Sequence, residues 1–462
     1  MFAIRLKPIG GHVLNRRELL VSSSFLLAAC AAGPVGFPPA KSFVRRSANG
    51  FTIDGQPYRY AGTNMWYAAY LGADAEYGNR ERLKRELDRL VELGIDNVRI
   101  LGSSELSPLK NSITPAVRTQ SQDYSETLLR GLDYALAEMG KRGLRAVIYL
   151  TNFWEWSGGM GTYLLWNNGG KYIDMNDPAH PWPEFPDFVS GFYSSEPAVR
   201  MFHHLVRALV TRTNSVTGQR YADDPTIMSW QLANEPRPAG SAAVIARQMP
   251  AYLAWINATA RLLKSLDPNH LVSTGHEGTQ GCNGDAQCVI DAHASPDVDY
   301  LTAHIWPQNW GWADPKDLAG TWATVETNTR DYIAKQVAIA TKLGKPLVIE
   351  EFGFPRDNGS FDPGATVEYR NRFYDLIYGA ARESARSGGP IAGTNFWSWN
   401  GEGRAQHSDH KFVRGDLSYL GDPPHEPQGW YGVFDTDAST HAVIRAHLQQ
   451  LRQTASAQGF GS

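Results

Sequence analysis

The chain reads as an α/β protein, a single (β/α)8 barrel with long loops after its strands. Three observations predict this. Eight short apolar runs recur along the chain, and amphipathic stretches with helical spacing separate them. With 462 residues, 42% of them apolar and 20% charged, one large core can be filled. The rival, a doubly wound open sheet, calls for a glycine-rich phosphate turn, and no GxGxxG follows the first run. No internal repeat of solenoid length is visible, and no second domain follows the last helical stretch.

The first thirty residues read as an address. Arg16 and Arg17 precede an apolar stretch from Leu19 to Ala29, which is short for a bilayer span and suits the apolar region of a signal peptide. It ends in Leu27-Ala28-Ala29-Cys30, which resembles a bacterial lipobox and makes Cys30 the candidate for a lipid anchor. Export across the bacterial inner membrane is therefore expected, with anchoring at the envelope or, if the leader is an ordinary signal peptide and Cys30 incidental, a periplasmic or secreted protein. Residues 31–49, rich in Pro, Gly and Ala, read as a flexible tether, and 50–456 as the barrel domain. Cys282 and Cys288 sit close together in one loop, and in an oxidising compartment a disulfide between them is the default.

Within the domain, Phe51 to Tyr58 form a small hairpin around Asp54-Gly55. The eight strands are expected at 58–64, 97–101, 146–152, 227–235, 271–277, 300–306, 346–353 and 393–399. Helices are expected at 79–93, 124–142, 196–213, 243–265, 320–343, 365–387 and 438–453, with the weakest at 285–294. His203 and His204 lie inside a helical stretch, where packing or solvent accounts for them better than a metal.

In such a barrel the C-terminal ends of the strands line the active site. In order they carry Asn64 and Trp66, Arg99, Asn152 and Trp154, Asn234 and Glu235, His276 and Glu277, His304 and Trp306, Glu350 and Glu351, and Trp397 and Trp399. A mouth so lined with carboxylates, amides, imidazoles and indoles is suited to chemistry on a polar ligand. Glycoside hydrolysis needs two facing carboxyl groups, and Glu235 and Glu351, ending strands four and seven, would face each other. A lone strand-end Glu is as readily a salt-bridge partner, so context decides. Glu235 follows Asn234 and precedes Pro236; Glu351 precedes Phe352-Gly353. Adjacent strand residues point to opposite sides, so Glu350 and Glu351 enter the mouth together only if the strand bends.

Asn234-Glu235-Pro236 and Glu351-Phe352-Gly353, at these strand ends, resemble glycoside hydrolase family 5. Gly62-Thr63-Asn64, the run from Asn152 to Gly159, Arg237 after the Asn-Glu-Pro, and the run from Phe396 to Arg404 narrow the resemblance to its β-mannanases. The resemblance implies Glu235 as general acid/base and Glu351 as nucleophile of a retaining endo-β-1,4-mannanase. An exo-β-mannosidase is the alternative if loops 156–193 or 402–428 block one end of the cleft, an endoglucanase is another, and a carbohydrate-binding barrel that has lost catalysis is a remote third, disfavoured because both Glu stand in their motifs. It further implies Arg99 holding Glu351 ionised, Asn234 on the sugar 2-hydroxyl, His304 near the acid/base, Trp397 beneath the reacting sugar and Arg237 on the leaving-group side. Trp66, Asn152 and Trp154 are candidates for the other sugar sites. Where the family usually has His-x-Tyr, this chain has His304-Ile305-Trp306, and an indole donates a hydrogen bond but cannot accept one. Trp306 is therefore a candidate stacking residue.

No metal or other cofactor is expected. Lys plus Arg numbers 44 and Asp plus Glu 47, a balance that disfavours nucleic acid or an anionic membrane surface as partner. The expected partner is an uncharged polysaccharide met by a monomer, with the membrane reached only through Cys30. The 14 Trp gain a purpose if several stack on sugar rings.

Overall fold

The computed structural model describes residues 39–457, so the Arg16-Arg17 pair and Cys30 lie outside the described residues. Three short strands open it: β1 (Arg45–Arg46), β2 (Phe51–Ile53) and β3 (Gln56–Tyr58), an antiparallel sheet. Part of the stretch read as a tether therefore belongs to the fold. Val44 is the reason: it is buried beside Phe51, and a Pro/Gly/Ala-rich average concealed one apolar anchor.

The barrel follows as β4 (Tyr60–Asn64), β5 (Asn97–Leu101), β6 (Arg145–Tyr149), β7 (Ile227–Gln231), β8 (Leu271–Ser273), β9 (Leu301–Ile305), β10 (Leu347–Phe352) and β11 (Ile391–Phe396). All neighbours pair in parallel, and β11 pairs with β4. The remaining seam, between β8 and β9, is bridged by Ser273 and Tyr300. Helices stand between the strands, among them 80–93, 126–141, 196–210, 242–266, 286–293, 318–343 and 368–387, and helix 438–457 follows the last. These match the periodic stretches because periodicity survives any tertiary context that keeps one face buried. Helix 80–93 shows the local logic. Asn79 caps it by accepting from the Arg82 amide, and Gly94 ends it in the left-handed region.

Several expected strands run too far. β6 ends at Tyr149, β7 at Gln231, β8 at Ser273 and β11 at Phe396, so Asn152, Glu235, Glu277 and Trp397 lie beyond the barrel strands, and Trp399 begins a separate short strand, Trp399–Gly401. Beyond Gln231 the ladder gives way to a lone Asn152–Asn234 bridge, and the chain turns over the mouth. The long connection after β6 holds short helices at 159–167 and 184–189, too short for a periodic signal. The Cys282–Cys288 disulfide is present.

The barrel interior is layered. Val44 and Phe51 join Tyr60, Val147, Met228, Leu271, Tyr300, Val348 and Ala392 in one buried apolar cluster, so the small sheet plugs the N-terminal end. Polar residues also bond inside the barrel, with Asn395 donating to Asn97 at 3.1 Å and the Tyr300 hydroxyl meeting Ser229 at 3.0 Å. The Tyr60 ring needs the space over Gly393, where a Cβ would come within 2.4 Å of it. Gly393→Ala should therefore lower stability by about 1–3 kcal/mol through overpacking. A urea titration should show a lower midpoint at unchanged slope; an unchanged midpoint would contradict this packing.

Candidate active site

Arg99, at the centre of β5, is fully buried beneath the mouth. Its Nε donates to Gln231 at 2.8 Å, Nη1 to Asn64 at 3.1 Å and to Glu351, and Nη2 to Asn234 at 2.7 Å. The guanidinium also lies 4.4 Å over the Tyr149 ring. A buried cation is tolerated only when its donors are met by ordered acceptors, and here side chains from β4, β7, β10 and the turn after β7 meet them.

Glu235 and Glu351 face one another with His304 between them. His304 Nδ1 stands 2.6 Å from Glu235 Oε1 and 3.3 Å from Glu351 Oε2. Glu235 also accepts from Trp154 Nε1 at 2.5 Å and from Trp306 Nε1 at 3.4 Å. Its backbone is left-handed, φ 49°, a conformation uncommon outside glycine that turns the chain immediately before Pro236.

Glu350 also enters the barrel interior. The β9–β10 register shifts between Ile349 and Glu351, and this irregularity is the bend that lets two consecutive carboxylates turn inward. Glu350 accepts from Gln231 Nε2 at 2.5 Å and lies 3.4 Å from Arg99 and 3.8 Å from His304 Nε2.

The charges are strongly coupled. Burial alone would lower the His304 imidazole, but Glu351, Glu235 and Glu350 outweigh it and raise it to about 10. Burial would raise Glu235, yet the hydrogen bond from His304 holds it below the usual carboxylate range. Burial pushes Glu351 up, against the pull of His304 and Arg99. Ligand atoms of Glu235, His304 and Glu351 lie within 4.8 Å of one another, a spacing a cation could bridge. The donor set fits a metal poorly, because Arg99 already puts a positive charge on Glu351 and the imidazole is held protonated.

Above these groups opens a cavity of about 510 Å³, within the usual range of small-molecule pockets. Asn234, Glu235, Arg237, Trp306, Glu351, Trp397 and Trp154 all line it. Arg237 pairs with Glu277 at 2.6 Å, and its guanidinium lies 5.2 Å from the Trp154 ring and 5.6 Å from that of Trp182. Burial lifts Glu277 to about 7 although Arg237 opposes it. Trp306 packs edge-on to Trp397 with centroids 6.0 Å apart and tilts against Tyr431 at 5.2 Å, so it shapes the aromatic wall.

Three expected contacts are corrected. Trp66 is absent from the cavity lining and is buried among Tyr67, Tyr70, Trp156 and Tyr419, because the chain turns into a helix at Ala68 and carries the indole away from the mouth. Asn152 is buried behind the site, where it accepts from Asn234 Nδ2 at 3.2 Å and orients that amide. Trp399 is buried as well, donating to Glu86 at 2.8 Å. Sequence reasoning also missed Gln231 and Trp182. Gln231 lies in the run Trp230 to Glu235, and its inward alternation was the one available signal; Trp182 sits on an aperiodic loop. Trp66→Ala should cost about 3–5 kcal/mol, as for large buried aromatics. Trp182→Ala, at an exposed position, should stay within about 0.5 kcal/mol of the parent in the same denaturant titration.

Comparison with known proteins agrees with this geometry. Residues 41–456 match the family described as GH family 5 beta-mannosidase-like. A putative mannan endo-1,4-beta-mannosidase 9 of Oryza sativa subsp. japonica is 31% identical over 85% of this chain and 89% of its own length. Mannan endo-1,4-beta-mannosidase 1 of Arabidopsis thaliana is 29% identical over 77% and 81%. Among solved structures, a glycoside hydrolase family 5 mannosidase from Rhizomucor miehei superposes with TM-score 0.82 at 32% identity, covering 90% of this chain and 99% of that one. The chain belongs to glycoside hydrolase family 5, among its mannanases and β-mannosidase-like enzymes, and is a glycoside hydrolase built on the (β/α)8 barrel.

Proposed function

We propose that the protein hydrolyses β-1,4-mannosidic bonds with retention of configuration, attacking manno-oligosaccharide and mannan chains near their ends. The carboxyl pair carries the first half of this reading. Oxygens of Glu235 and Glu351 come within 4.8 Å, which fits the roughly 5–5.5 Å separation of retaining enzymes and not the roughly 6.5–9.5 Å of inverting ones.

Glu351 attacks the anomeric carbon, for which it must be ionised. Burial opposes this, but the direct charge-assisted bond from Arg99 favours the carboxylate and aims it. Glu235 protonates the departing glycosidic oxygen. Its proton is supplied within the Glu235–His304 pair, since the raised imidazole holds one at neutral pH across the 2.6 Å bond. Water then attacks the glycosyl-enzyme, Glu235 now acting as base. Trp397 offers a face beneath the reacting sugar, Asn234 a polar contact to its 2-hydroxyl, and Arg237 a contact on the leaving-group side.

The preference for chain ends rests on the cavity wall. Trp156, Met175 and Trp182 from loop 156–193, and Pro423, His425 and Glu426 from loop 402–428, all line the cavity, making a pocket where an endo enzyme presents a groove. The names of the plant relatives favour the second reading, internal cleavage of mannan. Timed product analysis on mannohexaose separates the two: early mannose indicates end attack, and early mid-sized oligosaccharides indicate internal attack. Activity on carboxymethyl-cellulose alone would sink both. Glu351→Ala should lower kcat by at least about 10⁴-fold while leaving oligosaccharide binding measurable by calorimetry. His304→Ala should lower kcat about 10²- to 10⁴-fold, by removing the proton source of Glu235.

Export and a lipid anchor at Cys30 remain part of the proposal, carried by the Arg16-Arg17 pair and the Leu-Ala-Ala-Cys run. Cys30→Ser should move the enzyme from the membrane fraction to the soluble one.

A further inference from the structure

Carboxylates flank both edges of the His304 ring, and the mechanism above uses only one edge. On the mouth side, Nδ1 stands 2.6 Å from Glu235 Oε1 and 3.3 Å from Glu351 Oε2. On the far side, Nε2 stands 3.8 Å from Glu350 Oε2. That nitrogen and that oxygen are both buried, and neither has a hydrogen-bond partner. The gap exceeds hydrogen-bond length, so the two interact by charge across it. A neutral imidazole keeps one nitrogen as a lone-pair acceptor, which here would face a carboxylate with no proton between them. With acceptors on both edges, the ring is satisfied only when both nitrogens carry hydrogen, which is the imidazolium.

Glu350 is placed to hold that charge and not to touch substrate, since it is buried and lies outside the cavity lining. Its Oε1 accepts from Gln231 Nε2 at 2.5 Å, and its Oε2 lies 3.4 Å from Arg99 Nε. Gln231 is itself oriented: its Oε1 accepts from Arg99, which leaves its amide hydrogens for Glu350 and Ser273. Both contacts suit a carboxylate, which only accepts. The cations nearby are Arg99 on β5, bonded to Glu351, and Arg237 after β7, paired with Glu277 after β8. His276, also after β8, is neutral because burial holds it well below the usual imidazole range. Tyr60 on β4 and Tyr300 just before β9 face Glu350, and burial keeps both hydroxyls neutral. Without Glu350, Arg99 and the imidazolium would balance Glu235 and Glu351; with it, negative charge is in excess and the ring keeps its proton.

We propose that Glu350 is a positioning residue for the catalytic proton: its charge, acting on Nε2, keeps the Nδ1 proton of His304 available to Glu235 in each turnover. This rests on the β-mannoside reading above. In the first step the proton leaves Nδ1 for the Glu235 carboxyl and passes on to the departing glycosidic oxygen, leaving His304 neutral. In the second, the proton that water gives up to Glu235 returns to Nδ1, a return that the Glu350 charge favours.

Glu350→Gln keeps an acceptor for Gln231 and removes the charge. On mannotriose, the alkaline limb of kcat/KM should move to lower pH by about 1–3 units, because an imidazolium that loses a neighbouring anion gives up its proton sooner. Dinitrophenyl β-mannoside has a leaving group that needs no proton, so its kcat/KM profile should change little. A variant with the parent's urea midpoint and an unmoved limb on mannotriose would overturn the proposal. An equal shift on both substrates would overturn it too, since that marks a general disturbance of the site. Nitrogen NMR of the histidine-labelled parent, with His304→Gln identifying the signals, should show both ring nitrogens protonated at about pH 8, since the ring is raised to about 10. A neutral ring there would overturn the proposal even if Glu350→Gln did not fold. A parent inactive on mannotriose and on mannan would overturn the β-mannoside reading, and the same spectrum would still decide the Glu350–His304 pair.

Discussion

A single buried cation organises this molecule. Arg99 sits in the barrel where no water can solvate it, so each of its donors must find an acceptor in the protein. Those acceptors arrive from Asn64, Gln231, Asn234 and Glu351, and the Tyr149 ring lies against its face. The barrel can therefore close only in a register that brings β4, β7 and β10 to this guanidinium together. The requirement that makes the fold specific also fixes the position of Glu351, whose carboxylate meets the same buried charge. Removing either partner would strand the other in low dielectric, which is far more costly than the pair is worth in net stability.

The second constraint is electrostatic crowding. Glu235, Glu350 and Glu351 gather around His304, and like charges at this spacing could not remain ionised without Arg99 and a protonated imidazole among them. Glu350 reaches the cluster only because β10 is irregular before Glu351. A regular strand would have sent one of the two carboxylates outward into the helical shell. The irregularity thus converts a repeated residue into two functions, one carboxylate at the mouth and one beneath it.

Much of the fold was legible because its signals are local. Amphipathic periodicity marked helices such as 80–93 and 368–387, and turn and cap residues marked their ends. Glu235, Glu351, Arg99, Asn234, Arg237, His304, Trp306, Trp154 and Trp397 were legible as well, because a barrel collects strand ends at one mouth and each lies in a short motif there. Trp66 and Asn152 were misplaced as sugar contacts for a common reason. Proximity in sequence to a strand end says nothing about whether the next turn carries a side chain toward the mouth or behind it. The loops after β6 and β11 could be read as possible blocks of the cleft, but they have no period that would single out Trp182, His425 or Glu426 within them.

The barrel, the family and the placing of Glu235 and Glu351 at one mouth were readable from neighbouring residues, because periodicity, strand count and contiguous motifs are local properties. Only the tertiary structure decided which groups surround each carboxylate and how far the cleft extends. The first depends on a register irregularity in one strand, and the second on loops more than two hundred residues apart, at Glu155 and His425, closing over one another. Contacts at that separation are settled by the packing of the whole barrel, which no local pattern encodes.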